Sequence, residues 1–254
     1  MFFFFKFITF NNMSTIKIIK VNATRSTNDK VKMLIKSKKI ISGDVVSAKY
    51  QYGGRGQLTN RWHSSYGKNL LCSLYFVFPK ISTDLGFSIN YAVCLSVLKT
   101  IRKFVPDQTI IKWPNDILSG DKKISGILIE NTIRSNKINS SIIGTGININ
   151  QIIFRNSINA TSLKNLSNKD FYVNDVLDEL INNYKFYLYK INNIEELSKE
   201  YHNNLYGLNG CNFMLKGKKV KGKVIKVLNN GQIKVDIESE GIANYRSGEI
   251  KIII

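Results

Sequence analysis

The stretch YQYGGRGQLTNRWHSSYGKNLLCSLYF, residues 50–76, sets a glycine-rich loop carrying Arg55 and Arg61 directly before an apolar run. Gly53, Gly54 and Gly56 free the backbone to follow tight paths. Successive N–H groups on such a loop converge on an anion, and arginine adds a fork that matches phosphate or carboxylate. The following NLLCSLYFVF, 69–78, is apolar almost without alternation, the pattern of a strand buried on both faces. The expected frame is a sheet with a polar loop at one end of a central strand. On its own, the loop is also what a solvated turn looks like.

Elements of matching size lie on both sides. IKIIKV at 16–21 and DVVSAKY at 44–50 read as strands, and a helix starts at STN, with Ser26 or Thr27 as its N-cap. Residues 85–104 carry apolar side chains at helical spacing. TIIKW, KISGILIE and SIIGTGININ read as short strands, and 172–190 and 193–205 as helices. From Cys211 the texture changes to strong alternation with a turn at NNG. The chain therefore divides near GLNG into a region 13–207 and a small antiparallel barrel, 211–254. Residues 1–12, MFFFFKFITFNN, hold a short apolar run broken by Lys6, with no small-residue cleavage site. The run is far below the ~20 apolar residues that span a bilayer, so it reads as a disordered extension or a mis-called start.

A chain of 254 residues, 43% hydrophobic and 22% charged, has room for one large domain and a small second one. Cys72, Cys94 and Cys211 are odd in number and share no CxxC spacing, which points to free buried thiols in a reducing compartment and a cytoplasmic protein. The formal net charge of +19 favours anionic partners. It is spread over many Lys-, Asn- and Ile-rich segments rather than one basic arm. Compositional drift and a selected basic face both account for it.

Several chemistries are absent from the sequence. It has no GxxxxGK[ST] phosphate loop and no GxSxG nucleophile elbow, and its two histidines, His63 and His202, form no Cys/His zinc cluster. What remains is four stretches in one strand-rich region. They are the loop at 50–69, KWPND at 112–116, KKISGILIE at 122–130 and GTGIN at 144–148. Pro114 fixes its own φ and biases Trp113 to extended geometry, which sets Lys112, Asn115 and Asp116 at the end of a strand. Gly126, Gly144 and Gly146 thin strand interiors, as where a ligand or another backbone comes close.

In this order and spacing, STN, YQYGGRG…NRWHSSYGKNL, IKWPNDI, KKISGILIE and GTGININ resemble the biotin–protein ligases, and the likeness runs over most of residues 20–254. The resemblance implies an α+β fold: a class II synthetase-like catalytic domain of mixed sheet with a small C-terminal β-barrel. It implies an ATP-dependent biotin–[acetyl-CoA-carboxylase] ligase that makes biotinyl-5′-AMP and passes biotin to a biotin carboxyl carrier protein. Only about twenty residues precede the catalytic region, too few for a helix-turn-helix domain, so no DNA and no membrane is expected as partner; a homodimer is allowed.

The resemblance also implies residue roles. Ser26, Thr27, Asn28 and Gln51 answer the ureido ring, while Gly54, Arg55, Gly56 and Gln57 surround the biotin carboxylate and the adenylate phosphate. Lys123 supplies positive charge where two anions meet and touches biotin there, with Mg²⁺ expected beside it and no side chain assigned to the metal. Asp116 orients or deprotonates the incoming lysine. Arg61, Trp62, Asn115 and Asn148 join Arg55 and Gln57 around the nucleotide, Trp62 as wall or lid. The catalytic set is Lys123, Arg55 and Asp116. One departure stands out: the family loop often reads GRGR, and Gln57 occupies the place of the second arginine, followed by Leu58 and Thr59. Lipoate–protein ligases share the implied fold, and a non-enzymatic nucleic-acid binder would use the charge; these are the competing readings.

Overall fold

The computed structural model describes residues 16–57, 60–106, 109–154 and 159–254. Residues 1–12, Leu58 and Thr59 lie outside them. A seven-stranded sheet has the order β1-β2-β3-β7-β6-β5-β4. Its strands are β1 (Ile18–Thr24), β2 (Val45–Gln51), β3 (Leu70–Ser82), β4 (Thr109–Lys112), β5 (Asp116–Ser119), β6 (Lys122–Arg134) and β7 (Lys137–Ile147). The β1–β2 pair is parallel and the others antiparallel, so the sheet is mixed as expected. β5 is four residues long, directly after KWPN, and was not anticipated.

Period two along the central strands decides what each face carries. On β7, Ile143 and Ile147 enter the main core, and Thr145 reaches the Tyr184 hydroxyl on α4 (Val173–Tyr189). On β3, Leu70, Cys72, Leu74 and Phe76 face the same way. That core also takes in α2 (Phe87–Phe104), α4 and α5 (Ile194–Asn203). The opposite face receives α1 (Thr27–Lys36), through a small cluster of Val31, Ile40, Val46 and Ile142. Gly144 and Gly146 alternate with the core residues and so belong to this second face. A five-residue helix, α3 (Leu163–Ser167), follows β7.

The C-terminal strands are β8 (Cys211–Leu215), β9 (Lys218–Val227), β10 (Ile233–Ile237), β11 (Gly241–Tyr245) and β12 (Ile250–Ile253). They form an antiparallel sheet of order β11-β10-β9-β8-β12. The texture change at Cys211 thus marks a second antiparallel sheet, and β11 and β12 are not paired with each other among the described pairings. Its inner side chains, Phe213, Leu215, Val224, Val235 and Ile252 among them, belong to the same continuous core as α2 and α5. The three cysteines are free; Cys72 and Cys94 are buried, whereas Cys211 is only half-buried. Burial pushes the Cys72 thiol up to about 12 and that of Cys211 to about 11, which leaves both protonated and inert at neutral pH. No helix among the described residues is long and apolar enough to cross a membrane.

Candidate active site

A cavity of about 1070 Å³ opens over the second face of the β3–β7–β6 region, and every site residue singled out from the sequence lines it. Its walls are the loop after β2, the start of α1, the turn between β4 and β5, and the edge of the C-terminal sheet around β12.

One end is polar and uncharged. The Gln51 side-chain carbonyl accepts from the Thr27 N–H at 2.7 Å and from the Thr27 hydroxyl at 3.1 Å. The start of α1 is therefore capped from β2, whereas Ser26, the N-cap residue, makes no side-chain cap bond. With its carbonyl occupied twice, Gln51 keeps its amide NH₂ as the group available to a ligand. The Ser73 hydroxyl lies 2.7 Å from Thr27 Oγ1 and 2.6 Å from Asn28 Oδ1. Asn28 in turn donates to the Leu128 carbonyl and to Glu130. Asn28 is thus a brace between α1 and β6.

The glycine-rich loop folds back on itself. Arg55 and Arg61 form an antiparallel bridge, the Gly56 N–H donates to the Asn60 carbonyl at 2.8 Å, and the Trp62 N–H donates to the Gly54 carbonyl at 3.0 Å. Gly53, Gly54 and Gly56 all lack positive φ. Their missing side chains serve close approach: a Cβ on Gly53 would meet Arg25 at 2.8 Å, and one on Gly54 would run into the Trp62 carbonyl. The Gly56 N–H is spent inside the loop, so the backbone does not form the uninterrupted anion nest that the sequence suggested. Arg55 is engaged too. Its guanidinium donates to both Glu130 oxygens, at 3.1 and 3.0 Å, and to Asp29 at 2.7 Å.

The other end of the cavity is cationic. Lys123 Nζ sits 2.6 Å from Asp116 Oδ1 and 5.6 Å from the centre of a Trp62 ring. Lys112 lies 3.8 Å from the second Asp116 oxygen. Burial holds the Lys112 ammonium below its ordinary pKa; Asp116 opposes this, and Lys123 and Lys251 add to it. The described lining residues include the cations Arg55, Arg61, Lys112, Lys123 and Lys251 and one carboxylate, Asp116. Asn115 and Asn148 line the cavity with their amides committed to the backbone. Asn115 donates to the Ile127 carbonyl at 2.6 Å, and Asn148 to the Thr161 carbonyl at 2.9 Å. No group of three or more His, Cys, Asp or Glu suited to a metal occurs among the described residues.

The floor between the two ends is glycine. A Cβ on Gly146 would lie 2.6 Å from the Trp62 indole, and one on Gly126 would lie 3.0 Å from it and 3.1 Å from Lys123 Nζ. Two buried donors of the lining have no hydrogen-bond partner among the described residues: Arg55 Nε and Trp62 Nε1.

Residues 21–148 match the model of the biotin/lipoate A/B protein ligase family. The chain belongs to this family. Within it, a bifunctional ligase/repressor BirA of Bacillus subtilis is 38% identical over 109 residues, covering 43% of this chain and 33% of that protein. A biotin–[acetyl-CoA-carboxylase] ligase of Mycobacterium tuberculosis is 28% identical over 149 residues, 58% of this chain and 54% of that one. The chain thus spans about a third of the ligase/repressors it matches. A biotin protein ligase from Aquifex aeolicus, solved with biotin and ATP, superposes with a TM-score of 0.76 at 25% identity, over 93% of this chain and 98% of that one.

Three polar residues of the site in this family member were not singled out from the sequence: Asp29, Ser73 and Glu130. Each meets its partner across at least 26 positions, and no local pattern marks such a pairing. Burial by itself would raise the Glu130 carboxyl; hydrogen bonds from Lys32, Asn28 and Arg55 outweigh it and hold the pKa below the ordinary value of 4.5. The native state therefore binds this proton less readily than the unfolded chain, so the stabilisation is present above 4.5 and is lost as pH falls through the native value. Glu130→Gln is expected to flatten the fall of the melting temperature below pH 4.5 relative to the parent. Scanning calorimetry between pH 3 and 7 checks this, and parallel profiles for the two proteins would remove Glu130 from the acid response.

Proposed function

We propose that this chain is a cytoplasmic biotin–protein ligase. It activates biotin with ATP to biotinyl-5′-AMP and then transfers biotin to a lysine of a biotin carboxyl carrier protein. Residues 13–207 are taken as the catalytic domain and 211–254 as the small C-terminal unit. The observation that carries the reading is the polarity of this cavity. Neutral hydrogen-bonding groups, Ser26, Thr27 and Gln51, stand together at the start of α1, and Lys112 and Lys123 stand together about Asp116, all in the lining of one cavity.

Biotin has the complementary order: a ureido ring with two N–H donors and a carbonyl, an apolar chain, and a carboxylate. Leaving buried groups of the neutral end unpaired costs about 1–3 kcal/mol each, and the dithiolane of lipoate has no donor or strong acceptor to satisfy them. The cavity thus favours biotin over lipoate.

In the first step the biotin carboxylate oxygen bonds to the α-phosphorus of ATP and pyrophosphate leaves. Two anions meet there, so cationic side chains fixed in place lower the barrier. Lys123 is the candidate for that charge, with Arg61 as a further cation of the lining. Magnesium would come with the nucleotide phosphates and would offset part of their charge, as is usual for this ion. In the second step the ε-amine of the acceptor lysine attacks the acyl carbon, AMP leaves, and the amine gives up a proton. Asp116, held by Lys123 and Lys112, is the carboxylate at hand to orient that amine. With neutral Gln57 in place of an arginine, the loop holds the adenylate with less charge.

Incubation with magnesium ATP, biotin and a carrier domain should add one biotin to the carrier by mass, and lipoate should add nothing. Salt-sensitive retention of DNA with no biotin transfer would favour a nucleic-acid binder instead. Sedimentation with and without biotin reads the homodimer that the family resemblance allows.

A further inference from the structure

The turn between β4 and β5 is held from two sides. On one side it is tied to β6: Asn115 donates to the Ile127 carbonyl, and the Ile127 N–H donates to the Asn115 carbonyl at 3.0 Å. On the other side is the turn between β9 and β10, which closes with Gly231 N–H donating to the Leu228 carbonyl and Leu228 N–H to the Gln232 carbonyl, both at 2.8 Å. The Trp113 indole N–H donates to the Gly231 carbonyl at 3.1 Å, across 118 residues of chain.

That second turn is itself firmly seated. The Phe87 N–H donates to the Asn229 carbonyl at 3.2 Å. Both backbone groups of Val227, just before the turn, are taken by side chains of the larger sheet's helices. Its carbonyl accepts from the Tyr91 hydroxyl at 3.0 Å, and its N–H donates to His202 Nε2 at 2.8 Å. His202 Nδ1 lies 2.6 Å from the Ser198 carbonyl, so the neutral tautomer with its proton on Nδ1 satisfies both contacts. Gly231 has φ +87°, and a Cβ there would lie 2.7 Å from the Phe87 ring. Only glycine fits the conformation and the space together.

Trp113 is buried and begins the segment that carries Asn115 and Asp116. Asp116 is the residue that Lys123 and Lys112 share. We propose that Trp113 is a positioning residue through which the C-terminal sheet, by way of Gly231, sets the place of Asp116 and hence of Lys123. On this view the second sheet acts on the chemistry through Trp113, itself part of the cavity lining, from Gly231, which is not among the lining residues. The inference rests on the ligase reading for its kinetic consequence and on geometry alone for its structural one. The lever is effective because reacting groups tolerate little displacement: a misplacement of ~1 Å costs on the order of 10²-fold in rate.

The experiment uses Trp113→Phe, which keeps a large ring and removes the donor, Gly231→Ala, which pushes the turn off Phe87, and the double variant. In biotin-dependent pyrophosphate exchange, each single change should lower kcat by at least ~10-fold with the KM for biotin unchanged, because the ureido end is built by Thr27 and Gln51. The double variant should be no worse than the poorer single one, since both cut the same link. Full kcat in folded Trp113→Phe, a matching rise in the KM for biotin, or losses that simply add would each overturn the proposal. Hydrogen exchange of residues 111–118 supplies a readout free of substrate. Gly231→Ala should speed exchange there, and unchanged protection would overturn the proposal as well. A wild-type chain with no biotin-dependent exchange of pyrophosphate would sink the ligase reading alone, and the amide measurement would still decide the positioning role.

Discussion

Lys123→Ala is expected to slow biotin adenylation by ~10²–10³-fold while the protein stays folded. The two halves of this result have separate physical causes. The backbone of Lys123 is fixed without its side chain, since its N–H donates to the Asn159 carbonyl at 2.8 Å and its carbonyl accepts from the Thr161 N–H at 2.9 Å. The side chain is one third exposed, so its ion pair with Asp116 contributes about 0–1 kcal/mol to stability. After the change, Asp116 still has Lys112 at 3.8 Å. The rate is another matter. A fixed charge donor aimed at developing negative charge is worth about 2.7–4 kcal/mol, on the order of 10²–10³ in kcat. The test combines thermal melting with biotin-dependent pyrophosphate release. Near-normal release by the folded variant would falsify the role given to Lys123.

Gly146→Val is expected to remove biotin binding with only modest loss of stability. Gly146 lies in the central strand β7, paired with Leu71 on one side and Gly126 on the other. Its backbone conformation suits a β-branched residue, which favours strands. The obstacle is space: the first added carbon alone would lie 2.6 Å from Trp62 Cε2 and 2.8 Å from Cζ2. The indole must leave the floor, or the strand must bend. Overpacking of this kind costs about 1–3 kcal/mol, which a chain of this size survives. The cavity does not, because the floor between its neutral and cationic ends is now occupied. A loss of even ~2.8 kcal/mol in binding is a hundredfold in affinity. Titration calorimetry with biotin, beside a melting curve, measures both effects. Wild-type affinity in Gly146→Val would place the ligand away from the Gly126–Gly146 floor.

The two variants also separate the ends of the site. Lys123→Ala should leave biotin affinity closer to normal than catalysis, whereas Gly146→Val should remove binding itself. Equal effects on both quantities in both proteins would mean that the neutral and cationic ends are not independent.

Much of this site could be read from residue order. Thinning of strands by Gly126, Gly144 and Gly146 pointed to close approach, and the structure puts Asn28 against the second of these and Trp62 over the other two. The alternating texture after Cys211 pointed to a second antiparallel sheet, and β8–β12 form one. Strand and helix periods are set by each residue's nearest chain neighbours, so a one-dimensional string carries them. Glycine carries its message the same way, because a missing side chain is visible without knowing what will fill the room.

Partner identity was decided by tertiary structure. Arg55 was read as an anion's partner, and the structure shows its guanidinium in a fork with Glu130 and Asp29. Gln51 was read as a ligand group, and it first caps α1. The glycine loop was read as a flexible nest, and it is a closed turn whose glycines admit the Arg25 side chain and the Trp62 carbonyl. The link from Trp113 to Gly231 joins residues whose neighbourhood depends on how the second sheet docks on α2 and α5. In each case the charge and donor count of the residue were legible, but its partner was fixed by strand order and by which helix covers which face. Those are properties of the packed chain, in which burial makes most donors and acceptors find a partner without the local sequence specifying which one.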